Sequence, residues 1–143
     1  MNVSNIGTGP LGRVYEAGEI IIRQGEPGDC MFVIQHGRVE IFAEADGKEI
    51  PLTERGAGEF FGEMAIFEHQ PRSATVRALT RSRVLTVDKP NFLRRMHEDP
   101  SLSYRLVQTL SHRVRELTAQ MARLNAQLTA LAEETQRASA EPV

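Results

Sequence analysis

The chain has 143 residues, 41% hydrophobic and 25% charged, with 17 Lys and Arg against 19 Asp and Glu for a net charge of −2. That length holds one domain with an appendage, and the charge balance gives no reason to expect nucleic acid or an anionic membrane surface as partner. The single cysteine, Cys30, excludes an internal disulfide and a cysteine-rich zinc site. No apolar run approaches the roughly 18–20 residues that cross a bilayer. The opening MNVSNIGTGP carries neither a charged n-region nor an apolar h-region, so a cytoplasmic protein without export signal or membrane contact is expected.

The first ninety residues read as β. Short apolar stretches recur at Glu19 to Arg23, Met31 to Ile34, Arg38 to Ala43, Ala74 to Leu79 and Arg83 to Val87, with glycine-bearing turns between them. Val39, Ile41 and Ala43 alternate with Arg38, Glu40 and Glu44, the two-residue period of a half-buried strand. Asp46-Gly47 joins that strand to Lys48 to Leu52 as a type I′ hairpin turn, which needs positive φ at both positions. Pro27-Gly28 fits the central pair of a type II turn, with Gly28 in the left-handed position.

After Val87 the period becomes helical. Asp88 followed by Pro90 is a helix start, and Phe92, Leu93 and Met96 follow at helical spacing. Asp99-Pro100 starts a second helix, with Asp99 as cap and Pro100 in the first turn. Along it, Val107, Val114, Met121 and Leu128 occupy heptad position a, and Leu110, Leu117, Leu124 and Leu131 occupy d. Leucine at every d, with valine at two a positions, favours a parallel two-stranded coiled coil. From Pro100 to Leu131 such a helix is roughly 48 Å long, against about 30 Å for a compact domain of this size. The distal heptads therefore call for a partner helix, and a homodimer through this helix is expected. The polar tail AEETQRASAEPV past Leu131 is expected to fray. The organisation is thus a β core over 1–98, a long C-terminal helix over 99–135 and a frayed tail over 136–143.

The chemistry concentrates in Phe60 to Ala78, FFGEMAIFEHQPRSATVRA. Phe-Gly-Glu-Met-Ala reads as the start of a short helix, with Gly62 allowing backbone N–H groups close to a ligand. A helix N-terminus offers unsatisfied donors that suit an oxyanion. Ten residues on, Arg72 precedes a strand; its fork matches a phosphate in bidentate fashion, and Ser73 adds a hydroxyl. Glu63 repels phosphate and makes sense only against another part of the ligand, such as a sugar hydroxyl. The same residues would also fit a surface Glu–Arg pair flanking a tight turn.

This stretch resembles the phosphate-binding cassette of the cyclic nucleotide-binding domain family. Phe61, Gly62, Glu63, Met64 and Ala65 match its first half, and Arg72, Ser73, Ala74 and Val76 its second. Upstream, Gly18, Ile20, Gly25, Gly28, Phe32, Ile34, Gly37 and Val39 match the family's glycine-punctuated β pattern, so the likeness spans roughly Tyr15 to Leu117. The resemblance implies an eight-stranded β roll with short flanking helices and a long C-terminal dimerisation helix. It implies that Arg72 pairs with the exocyclic phosphate, that Glu63 accepts from the ribose 2′-hydroxyl, and that backbone amides from Gly62 to Ala65, with Met64 among them, and Ser73 complete the cradle. The sensor domain of the bacterial cyclic AMP receptor type is most similar. On the long helix Thr118 is then the polar side chain placed to reach a purine, with Arg113 as a weaker candidate. Those receptors continue into a helix-turn-helix DNA reader. Only twelve residues, 132–143, follow Leu131, so direct DNA binding is not expected.

His36, His69, His97 and His112 show no metal-ligand spacing, and solvated positions are expected for His36 and His69. Cys30 has no evident activating base and reads as a buried structural thiol. No catalytic set is proposed, so the chain reads as a non-enzyme without cofactor or metal. The leading reading is a stand-alone sensor of cyclic AMP, or secondarily cyclic GMP, whose C-terminal helix changes arrangement on binding and acts on an unknown downstream protein. The alternatives are a constitutive dimeric adaptor with a non-binding roll, and a fragment of a cyclic-nucleotide-regulated channel or transcription factor.

Overall fold

The computed structural model describes residues 11–140; the opening segment read for an export signal and the last three tail residues lie outside them. Eight strands come first: β1 (Arg13–Tyr15), β2 (Ile20–Ile22), β3 (Cys30–His36), β4 (Arg38–Ala45), β5 (Lys48–Gly56), β6 (Phe60–Phe61), β7 (Thr75–Ala78) and β8 (Ser82–Asp88). The short helix α1 (Met64–Phe67) lies between β6 and β7; α2 (Lys89–Glu98) and α3 (Pro100–Ala140) follow β8. Two four-stranded antiparallel sheets result, ordered β1-β8-β3-β6 and β2-β7-β4-β5. The architecture is the mainly β, eight-stranded roll with short helices and a long C-terminal helix that the resemblance implied.

Inward-facing residues of both sheets make one core. Tyr15, Phe32, Ile34, Phe61 and Val84 come from the first sheet, and Ile22, Val39, Val76 and Ala78 from the second. Phe32 and Phe61, directly opposite each other across β3 and β6, stack with ring centroids 5.2 Å apart. Full burial of each such ring contributes about 1.5–3 kcal/mol, which is how a two-residue strand holds its place.

The turns confirm one sequence reading and correct another. Asp46 and Gly47 have φ of 53° and 71°, as a type I′ hairpin requires. Gly28 does not take the left-handed conformation, so Pro27-Gly28 is not the expected type II turn. Glycine is needed there for space instead, as the site makes plain. Asp88 caps α2 by accepting from Asn91 N at 2.9 Å, and Asp99 Oδ1 accepts from Ser101 N at 3.1 Å at the start of α3.

The chain divides into two compact units, one through Ser103 and one from Tyr104 onward. In the second, helix runs past Leu131 to Ala140. Residues 132–140 are mostly Ala, Glu, Gln and Arg, strong helix formers, and Thr135 Oγ1 donates back to Leu131 O at 2.9 Å. Val107, Val114, Leu117, Met121, Leu124, Leu128 and Leu131 are all exposed in the single chain, between 58% and 64%. Among the described residues, no helix is long and apolar enough to cross a membrane.

Candidate functional site

The site is built around Arg72, which lies in the loop before β7 and is half-buried. Its backbone is stitched to the β2–β3 loop: Gly25 N donates to Arg72 O at 2.8 Å, and Arg72 N donates to Glu26 O at 2.9 Å. Its side chain then reaches across the sheet edge. Nη1 donates to Gly62 O at 2.9 Å and Nη2 to Cys30 O at 2.8 Å, while the guanidinium carbon sits 5.6 Å from the centroid of the Phe32 ring. A guanidinium has five N–H donors, so two bonds to carbonyls fix its plane without exhausting its capacity. Neither carbonyl is anionic, so these two bonds orient the positive charge without neutralising it.

Gly62 joins the two halves of the cassette. Its φ of +73° turns the chain from β6 into α1, and its carbonyl accepts both Arg72 Nη1 and, at 3.3 Å, Ala65 N. The positive φ is the reason for glycine here, since a side chain would be strained. Glu63 occupies the N-cap position of α1, half-buried, with helical φ and ψ; its carbonyl accepts Ile66 N at 3.0 Å, and its side chain makes no cap hydrogen bond. Met64 begins the helix and is exposed, Ala65 is half-buried, and Ile66 anchors the turn in the core. Phe67 packs edge-on against Phe92 of α2, with centroids 5.6 Å apart. Ser73 is exposed at the bend before β7.

The structure thus brings Arg72 together with Gly62, the residue that leads into Glu63, Met64 and Ala65. Thr118 and Arg113 lie on α3 in the second unit; Thr118 is exposed, and its hydroxyl donates to Val114 O at 2.8 Å. Four contributors were missed. Cys30, read as a buried structural thiol, is half-buried and sits in the site, its carbonyl on Arg72 Nη2 and its Sγ 3.8 Å from the same nitrogen. The backbone of Gly25 and Glu26 holds Arg72 in place, and Gly28 lies against its guanidinium. Backbone acceptors leave no residue-type signal, although the glycine spacing before β3 marked the loop as constrained.

A separate depression of about 420 Å³ is lined by Val14, His36, Arg81, Ser82 and Arg83 and shares no residue with the cassette. Its guanidiniums are engaged, Arg81 Nε 3.3 Å from Glu16 Oε1 and Arg83 Nη1 on Gly12 O at 3.2 Å. Among the described residues no group of His, Cys, Asp and Glu could hold a metal ion.

Comparison with known proteins places the chain in a family. The profile of the cyclic nucleotide-binding domain matches residues 12–99. A CRP-like cAMP-activated global transcriptional regulator of Mycobacterium tuberculosis is 32% identical over 111 residues, 77% of this chain and 50% of that protein. A cyclic nucleotide-gated potassium channel of Rhizobium etli is 44% identical over 80 residues, 56% of this chain and 21% of the channel. The crystal structure of the Thermus thermophilus catabolite activator protein superposes with a TM-score of 0.72 at 29% identity, covering 79% of this chain and 54% of that one. The chain spans about a fifth to a half of the length of the curated relatives it matches. With the profile over most of its length and both halves of the cassette assembled around Arg72, the chain belongs to the cyclic nucleotide-binding domain family.

Proposed function

We propose that this chain is a sensor of cyclic AMP, with cyclic GMP the weaker ligand, and that it works as a homodimer through α3. The observation that carries the reading is the Arg72 guanidinium, oriented by the carbonyls of Gly62 and Cys30 yet paired by them with no anion. A cyclic phosphate diester supplies one negative charge and two free oxygens, a match for the donors that remain. Glu63 takes the ribose 2′-hydroxyl, and Ser73 and the amides from Gly62 to Ala65 support the phosphate. The preference for adenine follows the regulator at 32% identity, which is named for activation by cAMP.

The dimer rests on the exposed a and d side chains of α3, which in water would present a continuous apolar stripe. Binding energy that differs between two α3 arrangements would shift their populations, and that is the regulatory output offered to a downstream protein. Calorimetric titration of nucleotide-free protein with cyclic AMP, and with cyclic GMP in parallel, tests the reading. Saturable binding of one nucleotide per chain, tighter for cyclic AMP, is expected. A folded dimer that takes up neither nucleotide would overturn it in favour of a constitutive adaptor.

A further inference from the structure

Gly28 is a glycine without a backbone reason. Its φ lies outside the left-handed region, so its main chain would accept alanine without strain. What stands nearest to a side chain there is Arg72: a Cβ built at Gly28 would overlap it, and its three nearest atoms would be Nε, Cζ and Nη2 of that guanidinium. The guanidinium occupies the space that a Gly28 side chain would take. Arg72 Nη1 would also stand 2.9 Å from a Cβ at Gly62. The guanidinium therefore fills space left by two glycines, and it donates to Cys30 O and Gly62 O.

We propose that Gly28 is a positioning residue for nucleotide binding: the bare backbone of the β2–β3 loop is the seat that aims Arg72, and it acts only through that side chain. This deepens the cyclic nucleotide reading and rests on it for its effect on affinity. Arg72 is the flexible partner, so a methyl group at position 28 would displace the guanidinium and spare the main chain. The fold would survive and the aim would be lost. Both carbonyl bonds would break or bend, and the donors meant for the ligand would point elsewhere.

The test is a double-mutant cycle on the full chain with Gly28→Ala, Arg72→Ala and the pair. Gly28→Ala should weaken cyclic AMP binding about tenfold or more, as expected for loss of a charge-assisted hydrogen bond. In thermal unfolding it should lower the midpoint in the Arg72 background and leave it unchanged in the Arg72→Ala background, where the space is vacant. A glycine needed by the backbone itself would lower the midpoint equally in both backgrounds, and that result would overturn the proposal. Wild-type affinity in Gly28→Ala would overturn it as well. If the unmodified protein binds no cyclic nucleotide, the function reading fails, while the unfolding cycle still decides whether Gly28 seats Arg72.

Discussion

Replacing Leu124 by aspartate puts the proposed coiled coil under direct strain. Leu124 is a d residue near the middle of the stripe and is 59% exposed in the single chain. Full burial of a leucine contributes about 1.5–3 kcal/mol, so covering this exposed fraction contributes roughly 1–2 kcal/mol per chain and about 2–4 kcal/mol per dimer. Aspartate forfeits that term and sets two carboxylates against each other in the seam, where the like charges must stay hydrated or take up protons. Leu124→Asp should therefore raise the dimer dissociation constant at least about 30-fold, and up to about 1000-fold. Sedimentation equilibrium across a concentration series reads this directly, with circular dichroism to follow the loss of helix as α3 loses its partner. The reasoning fails if the unmodified protein sediments as a monomer at every concentration. It fails equally if Leu124→Asp dimerises as tightly as the parent, because the apolar stripe would then not be the interface.

Arg72→Ala should lower affinity for cyclic AMP by about 100-fold or more, since two charge-assisted bonds to phosphate contribute roughly 1.5–3 kcal/mol each; calorimetry measures it, and a loss below tenfold contradicts the assigned role. Removing the cap of α2 with Asp88→Ala should cost about 1 kcal/mol in denaturant unfolding, because Asn91 N loses its acceptor. On the outer face of the second sheet, Arg77 donates to both Glu49 carboxylate oxygens, at 3.1 and 2.8 Å, and holds that carboxyl below its ordinary value. A depressed folded pKa gives stability that is complete above the unfolded value and lost as pH falls through the folded one. Glu49→Gln should accordingly be less stable than the parent at pH 7, and the difference should shrink in thermal unfolding as pH falls below the ordinary carboxylate range.

Much of this protein is written in residue types and spacing. The Asp46-Gly47 hairpin, the Asp88 cap and the heptads of α3 follow from local rules that need no tertiary partner, because backbone conformation and helical periodicity are properties of a few neighbouring residues. The pairing of Gly62 to Ala65 with Arg72 came from the family resemblance, and the residues alone left a surface Glu–Arg pair open. The two strands that went unread, β1 and β6, have three residues and two, too short for any period; they exist because β8 and β3 offer them edges and the core takes Tyr15, Phe60 and Phe61. Helix continues past Leu131 to Ala140 because residues 132–140, though polar, are mostly strong helix formers.

What aims Arg72 belongs wholly to the tertiary structure. The carbonyls of Cys30 and Gly62 and the bare main chain of Gly28 come from segments 42, 10 and 44 residues away from it, and a carbonyl has the same identity in every residue. The sequence names the cation because its side chain is unique; only the fold can say which backbone atoms hold it still.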